Sequence, residues 1–261
     1  MKIMYFDCFS GISGDMIIGS LLDLGLDFKF LEIELRKLNL SNYHLDSRKV
    51  IKNGISATKF EVNEKSHDKH HHHEDRNLKE INNIIDNSKL DKEIKNTIKK
   101  IFRKIAAAEA KVHKTSIESF HFHEIGAIDT IIDVAGAVIG LNKLRIKKIY
   151  YSRLNTGTGF VKFSHGKFPI PAPATAEMLK GVPIYHNNIK FELITPTGSA
   201  IISTLADNFG EMPAMKLEKI GYGAGAKDLE QPNVLRVFLG EADSDSEKFD
   251  DEIMIMETNI D

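Results

Sequence analysis

The chain has 261 residues, with 35 Lys and Arg against 37 Asp and Glu, one Cys, no Trp and 11 His. Apolar residues make up 42%, enough to build a core, so wholesale disorder is excluded. A single Cys excludes an intrachain disulfide and any Cys₄ or Cys₂His₂ zinc site within one chain, and the near-neutral charge argues against a dedicated nucleic-acid binder.

At about 100–200 residues per domain, the length fits one large domain or two small ones. Ile3 to Phe6 is a short apolar run that reads as a buried strand. An Asp at position 7 interrupts what a signal peptide would need as an apolar stretch. No segment approaches ~18 consecutive apolar residues, so no transmembrane helix is expected. A free thiol at Cys8 suits a cytoplasmic location. Helical spacing follows in Met16, Ile17, Leu21, Leu22 and Leu24, with Gly25 as a stop. A second short helix is expected over Phe28–Leu38.

Two extended runs, Tyr43–Ile51 and Ile55–Val62, flank Asn53-Gly54, which predicts a hairpin. Residues 65–77 hold five of the histidines, His67, His70, His71, His72 and His73, with almost nothing apolar, and predict a mobile polar loop. Leu90, Ile94, Ile98, Ile101, Ile105, Ala108 and Val112 predict a long amphipathic helix. Residues 89–114 carry nine Lys and Arg against three acids. A solvated face is the simpler reading, because no aromatics interleave to stack bases.

A helix is expected over Asp129–Leu144 and strands over Lys148–Leu154 and Phe160–Phe163. A short helix over Ala174–Leu179 should end at Gly181. A helix capped by Thr195, with Pro196 first, should run to about Phe209. Strands are expected over Met215–Tyr222 and Val234–Leu239. Residues 241–251 hold six acids and one Lys and read as a linker, after which residues 252–261 open a strand of a further domain. The main domain is thus 1–240. Its class is α/β to α+β, a mixed β-sheet with packed helices.

Three constellations bear chemistry. In the first, Asp7, Cys8, Ser10, Gly11, Ser13, Gly14 and Asp15 form a glycine-rich turn from strand to helix. Its N–H groups suit a phosphate and its carboxylates a divalent ion; a tight turn with Ser13 or Asp15 as helix cap explains it equally. The spacing is neither a P-loop nor a dinucleotide fingerprint. In the second, the alternation in Phe120-His121-Phe122-His123 puts both imidazoles on one face, followed by Glu124. Asp129 and Asp133, four apart, share a helix face. Such a set ligates a borderline divalent metal, although Asp129 also fits as a partner of the helix dipole. In the third, clustered imidazoles at His67, His70, His71, His72 and His73 favour nickel or copper, and a mobile loop suits capture or delivery over catalysis. His165, Glu177, Thr195 and the Gly221–Gly225 run are weaker signals, each with a structural explanation.

Taken together, these segments resemble the LarC family of nickel-insertion proteins, in its N-terminal part. The resemblance rests on Tyr5-Phe-Asp-Cys-Phe-Ser-Gly-Ile-Ser-Gly-Asp-Met16, the histidine loop, and Phe122-His-Glu-Ile-Gly-Ala-Ile-Asp129 with Asp133. It continues in Pro169-Ile-Pro-Ala-Pro-Ala-Thr175, Leu193-Ile-Thr-Pro-Thr-Gly198, Gly221-Tyr-Gly-Ala-Gly225 and Glu257-Thr-Asn-Ile-Asp261. It implies a cyclometallase that inserts Ni²⁺ into pyridinium-3,5-bisthiocarboxylic acid mononucleotide to make the nickel-pincer cofactor of lactate racemase. It also implies CTP and Mg²⁺ or Mn²⁺, with the CTP site in a C-terminal domain that this chain should lack. On this reading His67, His70, His71, His72 and His73 capture nickel. His121, His123, Glu124, Asp129 and Asp133, with Asp7 and Asp15, form the ordered metal or substrate site, and Ser10, Gly11, Ser13 and Gly14 hold the phosphate. Expected partners are the mononucleotide, the CTP-binding domain, lactate racemase as recipient and further copies of the chain, with no nucleic acid or membrane. A metallochaperone without its own chemistry and a metal-dependent phosphohydrolase using Asp7, Asp15, His121 and His123 are the competing functions.

Overall fold

The computed structural model describes residues 1–64, 76–122, 128–163 and 166–242. In chain order the first elements are β1 (Lys2–Asp7), α1 (Gly14–Asp23), α2 (Phe28–Arg36), β2 (Tyr43–Lys52), β3 (Ile55–Glu64) and β4 (Arg76–Asn77). Next come α3 (Leu78–Asn87), α4 (Lys92–His113), β5 (His121–Phe122), α5 (Ile128–Lys143), β6 (Lys148–Tyr151), β7 (Leu154–Asn155), β8 (Phe160–Phe163) and β9 (Gly166–Pro169). The series ends with α6 (Pro173–Met178), β10 (Ile184–Tyr185), α7 (Pro196–Leu205), β11 (Asn208–Phe209), β12 (Met215–Ala224) and β13 (Val234–Ala242).

Seven strands form one mixed sheet in the order β11-β6-β1-β13-β12-β3-β2. β1 lies parallel to β6 and antiparallel to β13. The α/β to α+β expectation therefore holds. Alternation along β1 sends Met4 and Phe6 into the main core, where the Phe6 ring stacks on Tyr151 at 4.7 Å. The same core takes Ile17 and Leu21 from α1, Ile98 and Ile105 from α4, and Ile131 and Ala135 from α5. Each of these helices carries its apolar residues three or four apart, so one face turns inward.

The glycines near residue 221 serve close approach: a Cβ on Gly223 would stand 1.8 Å from the Met16 carbonyl oxygen, so α1 can lie directly on β12 only over a bare backbone. The hairpin of β2 and β3 forms around Asn53-Gly54 as expected, with Lys52 opposite Ile55.

Other elements differ from expectation. α3 has no counterpart among the expected helices, although Asn77 and Glu80 form a capping box and Ile81 and Ile85 are buried. The strand expected over 148–154 breaks after Tyr151, because Ser152 turns its hydroxyl to the Cys8 amide. α7 stops at Leu205, and Asn208–Phe209 joins the sheet edge beside β6 as β11. There the Asp207 carboxylate accepts from the Ile149 N–H and the Asp207 N–H donates to the Ile149 carbonyl, which favours pairing over another helical turn. β13 runs on to Ala242, two residues into the expected linker. The rest of that linker, the expected strand at 252–261 and most of the histidine loop (residues 65–75, with His67, His70, His71, His72 and His73) lie outside the described residues. Among the described residues no helix is long and apolar enough to cross a membrane.

Candidate functional site

The first turn of α1 is built against α5. Ser13, at the N-cap position, gives α1 no side-chain cap; its hydroxyl instead reaches the Asp15 carboxylate. The place of a cap is taken from a distance. The Asp133 carboxylate of α5 lies against the first turn of α1, as suits an anion at a helix N-terminus. Gly14 makes this possible, since a Cβ there would stand 2.6 Å from both Cβ and Oδ2 of Asp133. α7 closes the same corner. Thr195 caps it by accepting from the Gly198 N–H at 3.1 Å, and a Cβ on Gly198 would meet the Ile12 carbonyl oxygen at 2.4 Å. Ile12 and Ile194 meet in a parallel bridge, joining the loop after β1 to the start of α7.

One lysine enters this corner from β3. Lys59 pairs with the Asp15 carboxylate, with only 8% of its own side chain exposed. Burial pushes the Asp133 carboxyl well above the usual carboxylate range, and the negative charges of Asp15 and then Asp129 push the same way; Lys59 and the Asp15 N–H oppose them. The result is a pair of carboxylates at a helix N-terminus with one buried ammonium, bound to Asp15. Such a group makes the Asp133 carboxyl a weaker acid than a free aspartate.

Several expected site residues meet here: Ser13, Gly14, Asp15 and Asp133, with the exposed Asp129 one turn away, its carboxylate accepting from the Thr130 N–H. Others lie elsewhere. Asp7 takes two hydrogen bonds from Arg236, at 2.9 and 2.5 Å, so Asp7 and Asp15 answer to different cations. Ser10 is fully buried and accepts from Gln231 at 3.0 Å. Gly11 has φ +80° and a Cβ there would overlap the Leu193 carbonyl oxygen, which accounts for the glycine by packing alone. The backbone of His121 lies in β5, paired with Asn77. His123, Glu124 and His165 lie outside the described residues, as do all five histidines of the run, His67, His70, His71, His72 and His73. Among the described residues no three His, Cys, Asp or Glu side chains are grouped to hold a metal ion.

Cys8 is buried, and burial followed by the nearby Asp7 charge pushes its thiol well up, so it is no thiolate at neutral pH. Glu177 is bound to Lys111 and Lys180. Lys59 is the residue that pattern reading misses. Its signal is a lone lysine inside Ala57-Thr-Lys-Phe60, where all four residues are buried and the strand is covered on both faces.

The sequence model of a family described as nickel insertion protein matches residues 4–261. The chain belongs to that family. Among nickel insertion relatives, the pyridinium-3,5-bisthiocarboxylic acid mononucleotide nickel insertion protein of Acetivibrio thermocellus is 50% identical over all of this chain and 65% of its own length. The putative nickel insertion protein of Dictyoglomus thermophilum is 49% identical over all of this chain and 66% of its own. A protein of Desulfitobacterium hafniense with the same name as the first is 47% identical, again over the whole chain and 65% of its own length. The chain thus spans about two thirds of the length of the curated nickel insertion proteins it matches. No solved structure matches.

Proposed function

We propose that this chain is the N-terminal portion of a nickel insertion protein that delivers Ni²⁺ to pyridinium-3,5-bisthiocarboxylic acid mononucleotide, making the nickel-pincer cofactor of lactate racemase. The observation that carries the reading is the 50% identity, over the full chain, to a relative named for insertion of nickel into that mononucleotide. Nickel is cargo in this scheme. His67, His70, His71, His72 and His73 gather it, since neutral imidazoles favour late first-row ions. His121, His123, Glu124, Asp129 and Asp133 receive it, with Asp15 and Lys59 setting the charge of that corner. CTP and Mg²⁺ or Mn²⁺ are assigned to the third of the relatives' length that this chain does not span. The work is cytoplasmic.

The test is reconstitution. The chain is mixed with the mononucleotide, Ni²⁺, CTP and Mn²⁺, with and without the C-terminal third of the Acetivibrio relative, and the product is read by mass spectrometry. Nickel-loaded mononucleotide is expected only when both parts are present. No loading in either mixture, or turnover of simple phosphate esters by this chain alone, overturns the reading.

A further inference from the structure

A second constellation stands where β1 and β6 end side by side. These strands are parallel neighbours, and ligands of α/β sheets commonly bind outside the carboxyl ends of such strands. Asp7 closes β1, and Arg153 follows β6 by two residues. Asn155 ties the parts together: its side-chain amide donates to the Phe9 carbonyl at 2.8 Å, and its strand partner is Tyr185. Phe9 and Tyr185 therefore flank one residue, although 176 positions separate them in the chain (185 − 9).

The chemistry of the group is specific. Tyr185 is 39% exposed, with the Arg153 guanidinium over its ring at 6.0 Å. Among the described residues no carboxylate pairs with Arg153, which is exposed. Arg236 lies 5.0 Å from the Phe238 ring centre and 5.8 Å from that of Phe9, and sends two hydrogen bonds to Oδ2 of Asp7. Oδ1 of Asp7 accepts from no side-chain donor among the described residues. Asp7 also stands close enough to Tyr185 that, after burial, its charge is the next cause raising the Tyr185 hydroxyl. The exposed Tyr185, the Arg153 guanidinium over its ring and the nearby Asp7 carboxylate thus share one surface.

We propose that this surface binds a pyridinium mononucleotide, with its ring against Tyr185, its positive charge toward Asp7 and its phosphate on Arg153. This rests on the function proposed above, and deepens it by naming where the substrate docks. A cationic ring gains from aromatic faces and from a carboxylate, whereas a neutral pyrimidine gains only from stacking. A guanidinium with no acidic partner is suited to take a phosphate by two parallel hydrogen bonds.

The test is calorimetric titration of the whole chain with nicotinic acid mononucleotide, cytidine monophosphate and inorganic phosphate as probes. The pyridinium mononucleotide is expected to bind more tightly than either other probe. Arg153→Gln should weaken it about tenfold or more, the loss of one charge-assisted phosphate contact. Tyr185→Leu should weaken it about fivefold, and Tyr185→Phe should leave it unchanged. Both positions are exposed, so unchanged melting curves separate lost binding from lost fold. Equal binding of cytidine monophosphate, or unchanged affinity in Arg153→Gln, overturns the proposal. If mononucleotide binding follows this pattern while reconstitution yields no nickel-loaded product, the docking surface stands and the functional reading fails. If reconstitution succeeds with an unaltered KM in Arg153→Gln, the reverse holds.

Discussion

Gly14 of α1 and Asp133 of α5 are packed so closely that the glycine has no room for a methyl group: a Cβ would lie 2.6 Å from Asp133 Oδ2. The two helices touch through this point, and the carboxylate that caps α1 is admitted only because the side chain opposite is absent. Gly14→Ala must therefore push Asp133 off the helix end or shift α1 on the sheet. Overpacking of this kind costs about 1–3 kcal/mol. Thermal melting should show the loss, and a Gly14→Ala protein that melts with the wild type would show that the corner is loose.

Asp133 makes stability at this corner depend on pH in an unusual direction. Its folded carboxyl is raised above the ordinary value of 3.8, chiefly by burial. Between the ordinary and the raised value the folded state binds more protons than the unfolded one, so stability falls as pH rises through that window. The penalty is absent below the ordinary range and fully present above the raised one. Asp133→Asn, which cannot ionise, should melt above the wild type at neutral to alkaline pH, and the gap should close as pH falls toward about 4. A gap that widens on acidification would mean that the carboxylate is ionised and favourable in the fold.

Lys59 supports the same corner from the sheet. Removing one member of a largely buried pair leaves the other charge without compensation, at a cost on the order of 3 kcal/mol. Lys59→Met should approach that loss, because Asp15 and Asp133 then face each other with no cation bound to Asp15. Asp15→Asn in the same protein should recover much of it, giving a clear coupling energy in a double-mutant cycle. Additive effects would place Lys59 outside the Asp15 field.

How much of this is legible in the sequence depends on range. The apolar spacing of α1, α4 and α5 and the Asn53-Gly54 turn are local signals, and those elements stand where the spacing puts them. Asp15 and Asp133 are both legible as site candidates from local chemistry. Their meeting is not, since it depends on α1 and α5 crossing at Gly14, 119 residues from Asp133 (133 − 14). Lys59 is hidden for the same reason: only the covered position of β3 turns an ordinary strand lysine into a buried ammonium. Ser10 and Gly11 suggest a phosphate turn locally. Their packing against Gln231 and Leu193 comes from loops about 180–220 residues away, a distance no local motif carries. The end of α7 is misplaced by pattern because Ala206 and Phe209 continue an apolar spacing that the sheet edge then claims.

The histidine run gives the last prediction, and it separates gathering nickel from placing it. Four consecutive imidazoles, His70, His71, His72 and His73, with His67 nearby, offer several overlapping sets of donors for an ion that prefers nitrogen. Deleting residues 67–73 removes five of the chain's 11 histidines while leaving the Asp15, Lys59 and Asp133 corner untouched. Calorimetry with Ni²⁺ should then show fewer ions bound per chain. The metal-free melting temperature should stay within about 2 °C, because the run supplies no apolar side chain to a core and changes of that kind rarely move stability by more than about 0.5 kcal/mol. One tight nickel equivalent should survive the deletion. That remaining ion should weaken when His123→Ala is added, because the second histidine pair stands on the short segment that leads into Asp129 and Asp133. Complete loss of nickel binding on loop deletion alone would make the run the whole of this chain's metal function, and the Asp133 corner would then hold no nickel.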